Sequence, residues 1–349
     1  MDVSERARPP LFHMKTPIPA IWRIDVEPDE FENEVGEGPW TGFLATVELA
    51  EELRKRLADR SGHPVRPAWF VRFDPDIERC FGSLDYVVRR HGAEIDRLRG
   101  HGDPLGIHVH AGRWDEERSV SFSDHADTAW TTHCLTVAAE TFAECFGEPA
   151  RRSSQGGYFL TESILDAAVA LGIQVDLTPE PGLGPKTEDP AFGAYATAPS
   201  GDFRKCPRQP YYPSRQSLDM PSSSFAECRP ILLVPMTAYD YVSYFTPWPR
   251  RIVKGLLGWP RHHAPLNPWK TWSSPQVYWD LIERAADEQA ARYIAFAIRT
   301  DLPGSSLAEE VGALLKYLPN HPISERLRFV DPLGPEILAL ATPSRNGAR

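Results

Sequence analysis

Residues 19–29, PAIWRIDVEPD, decide the fold because they run from an apolar strand directly into acidic side chains. The apolar part has the composition of a strand that is buried on both faces. Asp25 and Glu27 follow at a spacing of two, and alternate residues of a strand share a face. The stretch therefore predicts two carboxylates that point the same way at the end of a buried strand. Pro28 breaks the pattern, so Asp29 is assigned to the following loop.

Six further stretches have the length of strands, most of them short apolar runs, and helical patterns with apolar spacing of three and four lie between them. Besides residues 19–25, the predicted strands are 67–73, 105–110, about 150–157, 173–177, 231–236 and 293–299. This alternation favours a parallel sheet or barrel. The sequence thus predicts an α/β fold, an incomplete (β/α) barrel, as a single domain over residues 1–349. A large loop insertion is expected at about 180–230, and a disordered tail at about 343–349.

The polar clusters of the sequence fall where the predicted strands end. After Asp25 and Glu27 on the first strand, the clusters are Asp74 and Asp76, His108 and His110, Asp176, and Arg299 with Asp301. In a (β/α) barrel the chemistry takes place at the C-terminal ends of the strands. We therefore expect these clusters to meet in one site.

Residues 106–114, GIHVHAGRW, contain two histidines separated by one residue. On a strand His108 and His110 present both imidazoles to one side, and neutral imidazole is the commonest metal ligand. Two histidines and one carboxylate make a facial set that leaves positions open for water and substrate. Either Glu27 or Asp25 would supply that carboxylate. The alternative is a pair of hydrogen-bonded histidines in a barrel mouth without a metal.

Such a group of residues would support metal-assisted hydrolysis. A bound ion lowers the pKa of a water molecule and polarises a carbonyl group, while a nearby carboxylate takes the proton. Asp25 and Glu27 would divide the roles of base and metal ligand, because contact with a cation separates their pKa values. The alternative is that both residues only cap the next loop.

Charge and composition exclude several classes of protein. The 349 residues carry a net charge of −10, which argues against a non-specific nucleic-acid binder. No apolar run approaches the roughly 18 residues of a membrane span, and the N-terminal residues lack the apolar core of a signal peptide. The five cysteines are scattered without a CxxC pair, which favours reduced thiols and a cytoplasmic location.

In the order of its motifs, the sequence resembles the polysaccharide deacetylase family (NodB homology, carbohydrate esterase family 4) as a divergent member. The resemblance lies in IDVEPD at 24–29, in GIHVHAGRW at 106–114 and in RRSSQGGYFLTESILDAAVALGIQVDLTPEPG at 151–182. It covers residues 18–180 and the last predicted strand. It implies a distorted (β/α)7 barrel and a divalent metal, most often zinc, with nickel, cobalt, iron and manganese as alternatives.

The resemblance also implies roles for individual residues. Asp25 matches the family's general base, while Glu27, His108 and His110 match its metal ligands. The remaining matches are Arg152 (or Arg151) for the arginine that supports the base, Tyr158 for the aromatic residue of the groove, and Asp176 for the aspartate of the following strand.

Three departures from the family's pattern bear on the mechanism. Val26 splits an acidic pair that is usually adjacent, and one residue instead of three separates the two histidines. The family's late histidine, its general acid, is expected on the last strand, where Arg299 and Asp301 stand instead. Because an arginine does not release a proton near neutral pH, Asp301 or a histidine elsewhere, His262 or His263, would have to replace it.

Weaker signals concern the substrate and a membrane surface. Arg113 and Trp114 would contact a sugar through an ion pair and ring stacking, or they would only pack their loop. Arg299 and Tyr158 are further candidates for contacts with the substrate. The basic and aromatic segment 247–263 would form a short interfacial helix on an anionic membrane, or it would cover the flank of the barrel.

Three functions follow from these patterns. The first is a metal-dependent hydrolase that removes an N-acyl group, above all N-acetyl, from a saccharide or glycoconjugate. The second is an altered barrel that binds a glycan without the catalytic acid. The third is a C–N hydrolase that acts on a small non-sugar amide with the same metal site. None of the three involves nucleic acid, and the sequence specifies neither the sugar nor the oligomeric state.

Overall fold

The computed structural model describes residues 16–29, 40–186, 188–189, 194–240, 249, 253, 263–269, 272–288, 292–301 and 306–341. The strands in these ranges are β1 (Ile18–Val26), β2 (Ala68–Arg72), β3 (Leu105–Val109), β4 (Gly112–Asp115), β5 (Val120–Ser123), β6 (Arg152–Gln155), β7 (Val175–Asp176), β8 (Glu188–Asp189), β9 (Ala194–Tyr195), β10 (Leu232–Leu233), β11 (Ala238–Tyr239), β12 (Ala264–Pro265), β13 (Ile294–Arg299) and β14 (Leu327–Phe329).

The helices lie mainly between the strands of the central sheet. They are α1 (Thr41–Ser61), α2 (Pro75–Phe81), α3 (Tyr86–Arg90), α4 (Gly92–Gly100), α5 (Thr128–Phe146), α6 (Glu162–Ala170), α7 (Pro275–Glu288), α8 (Ser306–Tyr317) and α9 (Pro335–Leu338). Helix α1 begins beside Asp29, whose carboxylate accepts hydrogen bonds from the backbone amides of Thr41 and Gly42. No helix among these is long and apolar enough to cross a membrane.

The central sheet is a curled half-barrel of parallel strands in the order β10-β7-β6-β3-β2-β1-β13. Strand β14 pairs with the first residues of β1. The amide of Thr237 donates a hydrogen bond to the carbonyl of Ala295 at 2.9 Å, which links the β10 side of the sheet to β13. Each of the seven predicted strands is present, so the predicted α/β barrel is confirmed, and the ring stays incomplete as expected.

Side chains alternate between the two faces of this sheet, and the two faces have different partners. Ile21, Phe70, Val175, Leu232 and Ala295 come from five strands that are not all neighbours, yet they form one buried cluster, so they line the concave inner face. The outer face packs against the helices in a second cluster. By alternation, Arg23 and Asp25 share the inner face with Ile21, above its apolar floor.

The predicted insertion is present between β7 and β10 and is anchored to the barrel. Tyr211 and Leu233 exchange both backbone hydrogen bonds, at 3.0 and 2.9 Å. The basic segment 247–263 lies outside the described residues except at Pro249, Val253 and His263, and the tail at 343–349 lies outside them entirely. The predictions for those two segments remain predictions.

Candidate metal centre

Glu27, His108 and His110 meet at the C-terminal mouth of the half-barrel, and each offers one ligand atom within 4.8 Å of the others. The Nε2 atoms of the two histidines are 3.0 Å apart. The carboxylate oxygens of Glu27 lie 3.5 Å from Nε2 of His108 and 3.4 Å from Nε2 of His110. These three residues are called the metal group below, because one carboxylate and two imidazoles are a common donor set for zinc.

A hydrogen-bond chain behind His108 orients its ring. Nδ1 of His108 lies 2.7 Å from Oγ of Ser154, and that hydroxyl donates to Oδ1 of Asp25 at 3.1 Å. Since the single hydroxyl proton of Ser154 goes to Asp25, the Nδ1–H of His108 must donate to Ser154. This assignment from the hydrogen-bond network leaves the lone pair of Nε2 facing Glu27 and His110. Such support from behind is typical of histidines that bind metals.

The other two members of the metal group are held by their backbones and by close packing. The amide of Glu27 donates to Oγ1 of Thr300 at 2.8 Å, and that hydroxyl donates to the carbonyl of Glu27 at 2.7 Å. The amide of His110 donates to Oδ2 of Asp74 at 3.1 Å. Gly156 packs so closely that a Cβ atom there would lie 2.2 Å from Nε2 of His110. Only glycine therefore admits the observed position of the His110 ring.

Three neighbouring strands carry the same short pattern, Arg-x-Asp, where they enter the mouth. In each case the guanidinium forms a two-pronged pair with the aspartate two residues later. The pairs are Arg23 with Asp25 on β1, Arg72 with Asp74 on β2, and Arg299 with Asp301 on β13. Sequence reasoning missed this pattern, although R-I-D, R-F-D and R-T-D stand at the ends of three predicted strands.

Glu27 lies next to two of these guanidinium groups. Its carboxylate is 3.2 Å from Nε of Arg299 and 3.7 Å from an Nη atom of Arg72. Burial opposes its ionisation, but Arg299 and then His110 outweigh burial and hold the pKa of Glu27 well below its usual value. Glu27 is therefore a carboxylate, the form that a metal ion requires.

Asp25 lies behind the metal group, on the Nδ1 side of His108. Arg23 donates to both of its oxygens, and Oδ1 is 3.5 Å from Nδ1 of His108. Burial would raise the pKa of Asp25, but Arg23 and His108 together lower it. These contacts are those of a residue that positions His108. The role of general base stays a prediction.

Asp301 and Arg299 occupy the end of β13, where the family's late histidine was expected. Burial and the charge of Glu27 raise the pKa of Asp301 to about 6, although Arg299 opposes the shift. Asp301 can thus exchange a proton near neutral pH, which Arg299 cannot do. Of the two histidines named as substitutes, His263 has its Nδ1 atom 3.3 Å from Arg208, and His262 lies outside the described residues.

Tyr158 lies at a strained corner after β6, near the charged residues of the mouth, and its role in the groove stays a prediction. Gly157 and Tyr158 have φ angles of 59° and 57°, in the left-handed region. Burial raises the pKa of the Tyr158 hydroxyl, as does the nearby carboxylate of Glu180, while Arg299 lowers it. The ammonium of Lys186 lies 5.6 Å from the centre of the Tyr158 ring.

Arg152 was predicted to support the base, and the structure places it elsewhere. It stands at the N-terminal end of β6, where its guanidinium pairs with Asp331 and contacts the carbonyl of Leu105. Arg23 makes the contact with Asp25 instead. The prediction was wrong because Arg152 precedes Ser154 by two residues, about 6–7 Å along the strand and away from the mouth.

Asp176 is also placed outside the metal group, by the alternation of β7. Val175 lies in the inner apolar cluster, so Asp176 points to the outer face. There its carboxylate accepts hydrogen bonds from Ser153 at 2.7 Å and from the amide of Thr178 at 2.9 Å. A catalytic role for Asp176 is therefore not supported by its position.

Arg113 and Trp114, the predicted sugar contacts, are engaged within the β4–β5 hairpin and its surroundings. Arg113 pairs with Asp124 at 2.7 Å and with Asp127 at 2.8 Å, and its guanidinium stacks on Trp130. The guanidinium of Arg79 covers the Trp114 ring at 4.6 Å. These contacts match the alternative interpretation, in which both residues pack their loop.

No family model and no curated protein sequence matches the chain. A solved structure described as a glycoside hydrolase/deacetylase, from Parabacteroides distasonis, is similar with a TM-score of 0.51 at 12% identity, over 90% of this chain and 69% of that one. Two proteins described as polysaccharide deacetylases have lower TM-scores. The one from Pseudomonas aeruginosa has a TM-score of 0.47 at 13% identity, over 90% of this chain and 87% of that one. The one from Mycobacterium smegmatis has a TM-score of 0.43 at 11% identity, over 89% of each chain. The first likeness shows that the chain has a deacetylase-type barrel fold.

Proposed function

We propose that the chain is a metal-dependent hydrolase that removes an N-acyl group, above all N-acetyl, from a saccharide or glycoconjugate. The observation that carries this proposal is the buried metal group of Glu27, His108 and His110 at the C-terminal mouth of the barrel. In barrels of this kind the mouth is where catalytic residues gather. The fold adds support, because a structure that shares it is described as a glycoside hydrolase/deacetylase.

The charges around the metal group suit a divalent cation. With Asp301 ionised, five buried carboxylates of the mouth face three arginines, an excess of two negative charges. The carboxylates are Asp25, Glu27, Asp74, Glu180 and Asp301, and the arginines are Arg23, Arg72 and Arg299. A dication would balance this excess with both histidines neutral, as their role as ligands requires. Zinc is the first choice for one carboxylate and two imidazoles, and cobalt, nickel, iron and manganese are alternatives.

The residues of the mouth divide the work of amide hydrolysis as follows. When bound, the metal ion would supply an activated water and polarise the acyl carbonyl. Glu27, His108 and His110 would hold the ion, and Asp25 would fix the orientation of His108 through Ser154. Asp301, with its pKa raised to about 6, is our candidate for the proton donor to the leaving amine.

A second candidate function is an altered barrel that binds a glycan without hydrolysing it. The observation that favours it is the pairing of Glu27 with Arg299 at 3.2 Å and its approach to Arg72 at 3.7 Å. Two guanidinium groups on one carboxylate compete with a metal ion for that carboxylate. The two functions therefore differ first in their affinity for metal.

Zinc binding is the experiment that separates them. Untagged protein is stripped with a chelator and titrated with zinc by calorimetry. We expect one zinc per chain in the wild type and an affinity at least about tenfold lower in His108→Ala and in Glu27→Gln, which each lose a ligand. His133→Ala, an exposed histidine on α5, serves as the matched control. Absence of binding in the wild type, with zinc and in parallel titrations with cobalt, nickel, iron and manganese, would contradict the metal-dependent hydrolase.

Acetate release identifies the substrate class. The zinc-loaded protein is incubated with N-acetylglucosamine oligomers and, in parallel, with small non-sugar amides. Release from the oligomers alone supports the saccharide deacetylase. Release from the small amides alone points instead to the C–N hydrolase that shares the same metal site.

A further inference from the structure

His125, on the loop between β5 and α5, is a buried imidazole for which the proposed reaction has no use so far. Its ring stacks face to face on Phe159, with centroids 4.0 Å apart and planes inclined by 10°. A Cβ atom on Gly157 would lie 3.4 Å from Cε1 of His125, while one on Gly156 would lie 2.2 Å from His110. The two adjacent glycines therefore hold His110 and His125 on neighbouring sides of one corner.

The loop that carries His125 is clamped on both sides. Arg113 pairs with Asp124 before the histidine and with Asp127 after it. Thr197 donates to the carboxylate of Asp124 at 2.8 Å and accepts from the amide of Ala126 at 2.9 Å. His125 therefore has a fixed position, and Arg113 contributes to the mouth through this loop.

The two ring nitrogens of His125 have different surroundings. The backbone of Ala198 stabilises the protonated ring, while Nδ1 is buried and has no hydrogen-bond partner among the described residues. We therefore assign the ring proton to Nε2, on the side of Ala198. In this tautomer Nδ1 carries a lone pair, so it is an acceptor for which the described chain supplies no donor. A buried polar atom left in this way costs stability and calls for an explanation.

His125 is nearly as buried as Glu27 and His108. It is 6% exposed, against 2% for both Glu27 and His108, and it lies within electrostatic reach of His110. Because the adjacent glycines of one corner pack against His110 and His125, a substrate that reaches the metal group also approaches His125. A sugar also carries hydroxyl donors, but the donor bonded directly to the reacting acyl group is the N–H of its amide.

We infer that Nδ1 of His125 accepts a hydrogen bond from the amide N–H of the bound substrate, and that His125 is a positioning residue that favours amides over esters. This inference rests on the proposed function, since it names the group of the substrate that the same site recognises. An ester has an oxygen in place of the N–H and cannot make this bond. A site that holds a donor by a buried acceptor discriminates against an analogue that lacks the donor.

Two substitutions separate this role from a structural one. In His125→Gln the side-chain amide can still donate to the carbonyl of Ala198, but the acceptor at Nδ1 is removed. In His125→Asn the amide oxygen can take the place of Nδ1, and the bond to Ala198 is lost. For the zinc-loaded proteins we measure the Kd of chitotetraose by calorimetry, and kcat and KM for 4-nitroacetanilide and 4-nitrophenyl acetate.

His125→Gln should impair substrate binding more than His125→Asn does. We expect His125→Gln to raise Kd for chitotetraose and KM for the anilide about fivefold or more, with KM for the ester unchanged, and His125→Asn to stay closer to the wild type. Equal effects on KM for the anilide and the ester would show a structural role and overturn the inference. A higher Kd or KM in His125→Asn than in His125→Gln would do the same.

A measurement whose readout does not depend on turnover keeps this inference separate from the proposed function. The ring nitrogens of His125 are observed by ¹⁵N NMR in zinc-loaded protein before and after addition of N-acetylglucosamine. We expect the Nε2–H tautomer in the free protein and a shift of the Nδ1 resonance with the sugar. An Nδ1–H tautomer would overturn the inference even in an active enzyme. Failure of the wild type to release acetate from any amide would instead overturn the proposed function.

Discussion

Two adjacent serines on β6 show how closely the metal group depends on single residues. Ser154 faces the inside of the barrel and links His108 to Asp25. Ser153 faces the outside and donates to Asp176. Both hydroxyl groups are buried, and both belong to the same strand. Only the one on the inner face lies behind a proposed ligand.

We predict that Ser154→Ala weakens zinc binding by about tenfold, because the ring of His108 loses the acceptor that fixes its tautomer. Ser153→Ala is the matched control, since it removes an equally buried hydroxyl from the same strand without touching the metal group. Competition with a chromophoric zinc chelator measures both affinities. Equal affinities in the two variants would mean that Ser154 does not orient His108.

At the scale of secondary-structure elements, the mouth is built from strand ends that repeat one short sequence pattern, Arg-x-Asp. On three neighbouring strands an arginine neutralises the aspartate two residues later, on the same inner face. Each pair makes burial of its two charges tolerable, although removal of one partner would leave an uncompensated buried charge. At the adjacent corner after β6, Gly156 and Gly157 have no side chains, which leaves room for the imidazoles of His110 and His125.

The corner yields a prediction for Gly156→Ala. The new Cβ atom would overlap the ring of His110, so the ring must move away from Glu27 and His108. We expect zinc affinity to fall by at least about tenfold, as for loss of a ligand or its support. Gly92→Ala, on α4, is the control, because a Cβ there meets no atom within 4 Å. Isothermal titration with zinc measures the effect, and an unchanged affinity would argue against His110 as a ligand.

For the whole molecule, the buried His125 links stability to pH. Burial lowers the pKa of His125 to about 4, and the charge of His110 acts in the same direction, while Ala198 and Asp124 oppose them. In the unfolded chain a histidine has a pKa of about 6.5. Between these two values the unfolded chain binds a proton that the folded one does not. The free energy of unfolding therefore falls as the pH decreases from 6.5 towards 4.

We predict that this term alone removes on the order of 3 kcal/mol of stability over that range. His125→Gln has no such titration, so its free energy of unfolding should fall less steeply with decreasing pH. Denaturation by urea at several pH values, with a chelator present, measures both slopes. Parallel slopes for the wild type and the variant would contradict a neutral, buried His125.

Most strands of the barrel could be read from the sequence because they are short apolar runs that are buried on both faces, whereas β6 (Arg152–Gln155) is polar. The strand bounds were less well predicted at β7 and β10, where two residues pair in each case. Strand β10 lies at the edge of the sheet and pairs with β7. Because β7 has two residues, few residues of β10 form ladder hydrogen bonds with it. Apolar composition predicts that a strand is buried, but it does not predict how many of its residues pair with a neighbouring strand.

The gathering of Glu27, His108 and His110 was also predictable, since the C-terminal ends of parallel strands meet at one end of a barrel. The positions of Arg152, Asp176 and Arg113 were not. Arg152 and Arg23 are both arginines near a strand end, and which of them reaches Asp25 depends on how far each lies from the mouth.

The amino-acid sequence alone accounts for the strands, the helices between them and the acidic and imidazole side chains at their ends, because hydrophobic periodicity is a local property of the chain. The tertiary structure decided which charges meet. Register places Ser154 next to His108, and alternation turns Asp176 to the outer face. Strand order puts the three Arg-x-Asp pairs side by side. Ser154 and His108 are 46 positions apart and Ser153 and Asp176 are 23 apart, so no local pattern encodes these contacts.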